Sequence, residues 1–293
     1  MMVTALYCAV DDFMKDFDLE WKKTLLSNTP NRRGPDCTMS DAEMMTITIL
    51  FHQSNYRTFK LFYQQYVPSL LSKEFPKRVS YSRFVFLMKG LFVPLFAFLN
   101  HHKGTVTGIS YIDSTKIQVC HNKRISRNKV FKNLAKRGKT TAGWFFGFKL
   151  HLIVNDRGEI LAFQLSQGNI SDVSMLELLS KDITGKLYGD KGYISSEIAK
   201  KLLDKGVELF TSIRENMKNK LMHIIEKVYL RKRSIIETIN DQLKNISQIE
   251  HTRHRSPANF LINLLSGLIA YQFKEKKPSI NLDCLEKTML KVA

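Results

Sequence analysis

Apolar positions recur at helical intervals through the first hundred residues. Ser40, with Glu43 three residues on, forms a capping box opening the apolar segment Met44, Met45, Ile47, Ile49, Leu50, Phe51. Phe59, Phe62 and Tyr66 share one helix face, and this second helix is expected to stop before Pro68. A third runs from about Tyr81 through Phe86, Leu87, Leu91 and Phe92, with Pro94 kinking or ending it. After Gly108 the period changes. Ile109, Tyr111 and Asp113 alternate with Ser110 and Ile112 in a strand that stops at Ser114-Thr115. Gly143 to Val154, rich in aromatic and β-branched residues, meets the turn signal Asn155-Asp156-Arg157-Gly158 and a partner strand from Glu159 to Leu165. Ser171 and Asp172 then cap a helix carrying Met175, Leu178 and Leu179. A short strand over Lys186 to Gly189, a helix over Ser195 to Leu203 closed near Gly206, a strand over Val207 to Ile213 and a helix over Tyr229 to Ile246 follow. This order predicts an α/β domain, a mixed five-stranded sheet with helices on its faces, preceded by helices. No internal repeat is visible.

Composition adds a partner class. The 293 residues hold 45 Lys+Arg against 27 Asp+Glu, a formal charge of +18, with enough apolar residues (44%) to exclude disorder. Residues 1–112 carry 13 basic and 9 acidic side chains, net +4, leaving +14 for the remainder. Thr115 to Lys139 alone holds nine Lys/Arg, among them Lys116, Lys123, Arg124 and Arg127, and no acid. Such a run can be a solvated loop; nine unrelieved like charges favour a surface that tracks phosphates. The N-terminal helices, with their interspersed cations, suit either a helix-turn-helix on DNA or a scaffold for the next domain. Cys8, Cys37, Cys120 and Cys284 form no CxxC pair and read as free thiols of a reducing compartment. The early apolar stretch runs into Asp11-Asp12, unlike an export signal, and the longest apolar run, Phe260 to Phe273, is too short and too interrupted for a span, so a cytoplasmic protein with no membrane partner is expected.

Three acids sit where this layout would gather them. Asp113 ends the first strand, Asp190 follows the short strand between Gly189 and Gly192, and Glu237 lies on the last helix, off the stripe Ile235, Ile239, Leu243, Ile246. A solvated face with ion pairs Arg233/Glu237 and Glu237/Asp241/Lys244 is the plain reading. The alternative is a carboxylate facing a cleft, flanked by cations that hold phosphates. Phosphodiester chemistry on two Mg²⁺ ions needs hard oxygen ligands and neither His nor Cys.

Tyr111-Ile112-Asp113-Ser114-Thr115, Gly147-Phe148-Lys149-Leu150-His151, Gln167-Gly168-Asn169-Ile170-Ser171-Asp172, Tyr188-Gly189-Asp190-Lys191-Gly192-Tyr193 and Ile236-Glu237 resemble, in order, successive blocks of bacterial insertion-sequence DDE transposases. The resemblance covers roughly Gly108 to Phe273. It implies an RNase H-like catalytic domain that cuts and joins double-stranded DNA, transposon ends and target, with two Mg²⁺ or Mn²⁺ ions held by Asp113, Asp190 and Glu237. Arg233 and Lys244 match the Arg and Lys of a Y-R-E-K signature, whose Tyr position is Leu230 here, with Tyr229 adjacent. The 47 residues from Asp190 to Glu237 leave little room for the large insertion common in the family. The implied organisation is a DNA-end-binding helical domain over residues 1–105, the catalytic domain over 106–275 and a tail over 276–293, pairing as a homodimer on two ends. An RNase H-like nuclease and a catalytically inactive DNA-binding relative are the alternatives.

Other features have plainer readings. His251, Thr252, Arg253, His254 and Arg255 lack the Cys or acidic company of a zinc site, so Arg253 and Arg255, like Lys191, are expected on the DNA backbone. Phe260 to Tyr271 reads as a core or dimer helix, Trp144 to Phe146 as buried sheet and not a base-stacking platform, and Asn169 and Asp172 as helix caps.

Overall fold

The computed structural model describes residues 3–25, 37–141, 143–212, 222–250 and 254–280. Arg253, with His251 and Thr252, Cys284 and the end of the tail lie outside these residues. The chain divides into two compact units, Met1–His102 with Leu243–Glu275, and Lys103–Gln242 with Lys276–Ala293. Residues 243–275, expected in the catalytic domain, group instead with the N-terminal helices.

The helical unit begins with α1 (Val3–Leu25), unforeseen because Asp11, Asp12 and Lys15 interrupt its apolar run. Leu6, Val10 and Met14 recur every four residues as its buried stripe, while Lys15 pairs with Asp11 at 2.8 Å on the outside. α2 (Asp41–Gln53) starts at the expected capping box: the Glu43 amide donates to Ser40 Oγ at 3.1 Å and the Ser40 amide to Glu43 Oε2 at 2.7 Å. α3 (Phe59–Leu61) and α4 (Val67–Leu70) are joined by a π-helical turn, Phe62–Tyr66, and so run past Pro68. The widened turn lets Val67 donate to Phe62, so the chain passes the proline without a strict α ladder. α5 (Tyr81–Leu87), a 3-10 turn (Met88–Leu91) and α6 (Phe92–His101) form one continuous rod. Pro94 stands in the first turn of α6, where its missing N–H costs no bond.

Among the described residues this rod of 21 residues, not the run at 260–273, is the stretch long and apolar enough by composition to cross a membrane. Its buried side, with Phe84, Leu91, Leu95 and Phe98, belongs to the core of the unit, and α6 packs on α1 and α11 (Pro257–Gln272). α11 also packs on α2, and ten of its residues from Phe260 to Tyr271 are buried, so the segment is core. Gly267 permits this closeness: a Cβ there would overlap Ile249 Cγ2 and crowd the buried His52 ring. Contact with the N-terminal helices, more than chain order, explains why 243–275 fall in this unit.

The second unit is built on a six-stranded mixed sheet of β1 (Ile109–Cys120), β2 (Lys136–Thr140), β3 (Gly143–Asn155), β4 (Ile160–Gln167), β5 (Gly185–Gly189) and β6 (Val207–Thr211), ordered β2-β3-β1-β5-β6 with β4 on β3 beside β2. The additional strand is β2 (Lys136–Thr140), inside the basic run read as loop or phosphate surface. β1 (Ile109–Cys120) and β3 (Gly143–Asn155) pair antiparallel from Ser110↔Asn155 to Cys120↔Phe146. β1 therefore continues well past Ser114-Thr115, and Asp113 lies inside the strand and not at its end. Gly147 allows the close approach, since a Cβ would overlap the Ile117 carbonyl oxygen. β4 (Ile160–Gln167) follows the Asn155–Gly158 turn. β5 (Gly185–Gly189) runs parallel to β1 over only three pairs, Ile109↔Lys186 to Tyr111↔Tyr188, and to β6 (Val207–Thr211).

The pleat separates two faces. Ile112, Ile153 and Leu187 turn to one, packed with Leu176 and Leu179 of α7 (Asp172–Leu179) and Leu202 of α8 (Ser196–Asp204). Tyr111 and Tyr188 stack on the other, ring centroids 5.4 Å apart, beneath α9 (Ile224–Arg231). There the buried Glu226 accepts from the Tyr188 hydroxyl at 2.5 Å and pairs with Lys186. The expected single helix over 229–246 is broken at Lys232–Arg233 into α9 and α10 (Ser234–Asn245). Ile246, expected on the buried stripe, is exposed because it lies beyond α10, whereas Ile235, Ile239 and Leu243 are buried as expected. Trp144 is 61% exposed, with Lys139 Nζ 5.9 Å over its ring, while Phe145 and Phe146 are buried.

Candidate active site

The parallel pairing of β1 with β5 sets the spacing of the first two acids. Tyr111 is opposite Tyr188, and Asp113 and Asp190 are each two residues on, so both project from the same face near the C-terminal end of β5. The chain leaves β5 at Gly189 into a 3-10 turn, Lys191–Tyr193, where Asp190 is the N-cap and its Oδ1 accepts from the Lys191 amide at 2.6 Å. α10 brings Glu237 to this face. Asn240, on the same helix and 7% exposed, donates from Nδ2 to Asp113 Oδ2 at 3.0 Å.

Arg233 links two of the acids. Its Nη2 donates to Glu237 Oε1 at 2.7 Å and its Nη1 stands 3.7 Å from Asp113 Oδ1. Burial pushes Asp113 up from an ordinary 3.8 to about 6; Arg233 and the Ser114 backbone oppose the rise, and the charges of Glu237 and Asp190 reinforce it. The three acids are thus close enough to feel one another. Their oxygens match the hard-donor preference of a divalent ion. Among the described residues, though, no three such side chains converge to ligating distance, and the cation between Asp113 and Glu237 is a guanidinium.

Beside Glu237 opens a cleft of about 440 Å³ whose lining includes Arg233, Lys227 and Arg231. The last two were not expected at the site; they lie in α9, one helical turn apart, ahead of the α9–α10 break, which helical periodicity alone does not reveal. Lys116 lies on β1; Lys123, Arg124 and Arg127 are exposed on the 3-10 segment Asn122–Arg127, and Lys191 is exposed beside Asp190. The Lys244 ammonium stands 3.4 Å from Glu250 in the helical unit. Arg255 is exposed in that unit as well.

The opposite sheet face carries a polar network directly behind Asp113. Asp172 Oδ1 accepts from Ser114 Oγ at 2.9 Å and from Lys149 Nζ at 3.0 Å, and Lys149 also donates to the Ile170 carbonyl. His151, fully buried and pushed down to about 4 by desolvation, stands 3.8 Å from Asp172 and shares a 2.7 Å hydrogen bond with Ser166. Asp172 is not a capping side chain, as its helix is preceded by Ser171 and shows no side-chain cap bond. It ties β1 and β3 to α7.

No curated protein matches the chain. Among solved structures it is similar to the piggyBac transposase in its synaptic complex with hairpin DNA, with a TM-score of 0.50 and 12% identity over 92% of this chain and 74% of that one. That likeness extends to the curled mixed sheet flanked by helices. A family model described as the transposase DDE domain matches residues 103–257, more than half of the sequence. By its sequence, and on a fold of the same kind, the chain belongs to the DDE transposase family.

Proposed function

We propose that this transposase binds the inverted-repeat ends of a mobile element, cleaves the DNA there and joins the freed 3′ ends to a target, with Asp113, Asp190 and Glu237 as its catalytic acids. The observation that carries this is the shared sheet face: strand register aligns Asp113 with Asp190, and α10 adds Glu237, bridged to Asp113 by Arg233. The three carboxylates would hold Mg²⁺ or Mn²⁺, two ions by family pattern, which when bound supply activation of the attacking hydroxyl and stabilisation of the leaving oxygen. Arg233 offsets the repulsion between Asp113 and Glu237, and with Lys227 and Arg231 it offers donors to phosphates in the adjoining cleft. Asn240 fixes the Asp113 carboxylate through its second oxygen. Lys123, Arg124, Arg127 and Lys191 extend the positive surface along flanking or target DNA, while Lys116, two residues on from Ser114, stands on the opposite sheet face and would meet DNA only from that side. Two copies would pair two ends.

The test uses linear DNA carrying the segments that flank the coding sequence, with Mg²⁺ and a plasmid target. Wild-type protein is expected to cleave it and to join labelled 3′ ends to the plasmid. Asp113→Ala should abolish both while DNA binding persists. Cleavage unaffected by Asp113→Ala sinks the assignment, and cleavage without joining points to a nuclease.

A further inference from the structure

The end of the β2–β3 ladder carries an aromatic side chain that the chemistry above leaves unused. Side chains alternate along β3, so Trp144, eight residues before Leu152, the partner of Asp113, projects from the same sheet face as that acid, at most about 27 Å along the strand. Its own partner on β2 is Lys139, and Arg137 is paired with Phe146, so both of these exposed cations share the face. The Trp144 side chain is 61% exposed while Phe145 and Phe146 beside it are buried, and Lys139 Nζ stands 5.9 Å over its ring. Asn122 donates from Nδ2 to the Trp144 carbonyl at 2.7 Å. That bond ties the start of the 3-10 segment to β3 and brings in the exposed Lys123 and Arg124 that follow Asn122. From Thr115 to Asn155 the chain has no Asp or Glu.

These surroundings narrow the choice of partner. An apolar protein surface or a bilayer interior calls for a contiguous apolar patch, and here cations hold the neighbouring positions on β2. A paired duplex would meet the cations through its phosphates, but its grooves present base edges, for which an indole has a single donor and no acceptor. A base released from its pair exposes a π-face that matches an open ring, and it carries its own phosphates to the cations around that ring. We infer that Trp144 stacks on an unpaired base of bound DNA, with Arg137, Lys139, Lys123 and Arg124 taking the flanking phosphates. The inference rests on the proposed action on DNA and adds the state of the strand involved: DNA opened locally on the side of the sheet that carries Asp113. Lys139, held over the ring, orders the indole before DNA arrives.

The experiment uses the full chain. The sequence holds two tryptophans, so Trp21→Phe leaves Trp144 as the sole indole reporter. Its emission is followed against a fully paired duplex and against the same duplex with a short mismatched stretch, while polarisation of a 5′-labelled strand measures binding independently. Strong quenching by the bound mismatched duplex and weak quenching by the bound paired one are expected. With Trp21 retained, Trp144→Ala, a surface change, should bind the mismatched duplex about tenfold more weakly and the paired duplex as before, and Trp144→Phe, which keeps a ring, should recover most of the loss. Equal quenching by both duplexes, no quenching when both are bound, or equal affinity of wild type and Trp144→Ala for the mismatched duplex overturns the inference and leaves the reading as a DNA transposase standing. Failure to bind either duplex removes both. Emission moved to the blue by anionic phospholipid vesicles and unmoved by DNA overturns the inference in favour of a membrane surface.

Discussion

Replacing Asp113 with Asn should stabilise the folded chain while removing its proposed catalytic role. The rise of Asp113 from 3.8 to about 6 is caused chiefly by burial, with Arg233 only partly opposing it. At about 1.4 kcal/mol per pH unit, ionising this carboxyl in the folded chain costs about 3 kcal/mol. Below pH 3.8 Asp113 is protonated in folded and unfolded chains alike, and the cost is absent; it enters as pH rises to about 6 and is complete by pH 8. Asparagine keeps the shape, keeps an acceptor for Asn240, and carries no charge at any pH. Urea unfolding followed by circular dichroism should therefore show the Asp113→Asn midpoint about 1 M above wild type at pH 8, for a slope of about 3 kcal/mol per molar, and little difference near pH 4. Mg²⁺ should narrow the gap at pH 8 by binding the folded wild type in preference to the variant. Equal midpoints at pH 8, or a gain of the same size at both pH values, would refute burial as the source of the strain.

Asp172→Asn should cost about 3 kcal/mol in urea unfolding, because Lys149, only 13% exposed at its side chain, loses its carboxylate; adding Lys149→Met should recover most of that. Gly147→Ala should destabilise the chain by about 3 kcal/mol, since backbone oxygen and not a mobile side chain occupies the space its Cβ needs, and a lowered thermal midpoint would register it. Acidification from pH 6.5 to 4 should also weaken the fold, because His52 and His151 are held neutral by burial, both down at about 4, and must take up protons on unfolding. A His52→Gln variant should show a shallower acid limb in thermal melts, and an unchanged limb would count against His52.

Much of the sheet was legible in the sequence because alternation and turn chemistry are local. Asn155 to Gly158 announces the β3–β4 hairpin, and the capping box at Ser40 announces α2. What stayed hidden depends on distant partners. Lys136 to Thr140 carry three cations and little strand propensity, yet become β2 because β3 offers an unpaired edge. The α9–α10 break has no proline or glycine to mark it, and α1 hides its stripe among acids. At the site, order along the chain singled out Asp113, Asp190 and Glu237. It could not reveal that Arg233 links two of them, or that Asp172 reaches through to Ser114 behind the first.

The three-pair parallel ladder between β1 and β5 has a genetic consequence. The distance between Asp113 and Asp190 is written in main-chain hydrogen bonds, not in the identity of the side chains between them. Conservative substitutions at Ile109 to Ile112 or Lys186 to Gly189 can therefore drift without moving either acid. Loss of a single codon from one of these stretches would instead turn its acid to the opposite side of the sheet, toward Ile153 and α7. A frame-preserving deletion here should thus displace the acid, and the buried side chains beside it, where a conservative substitution would not.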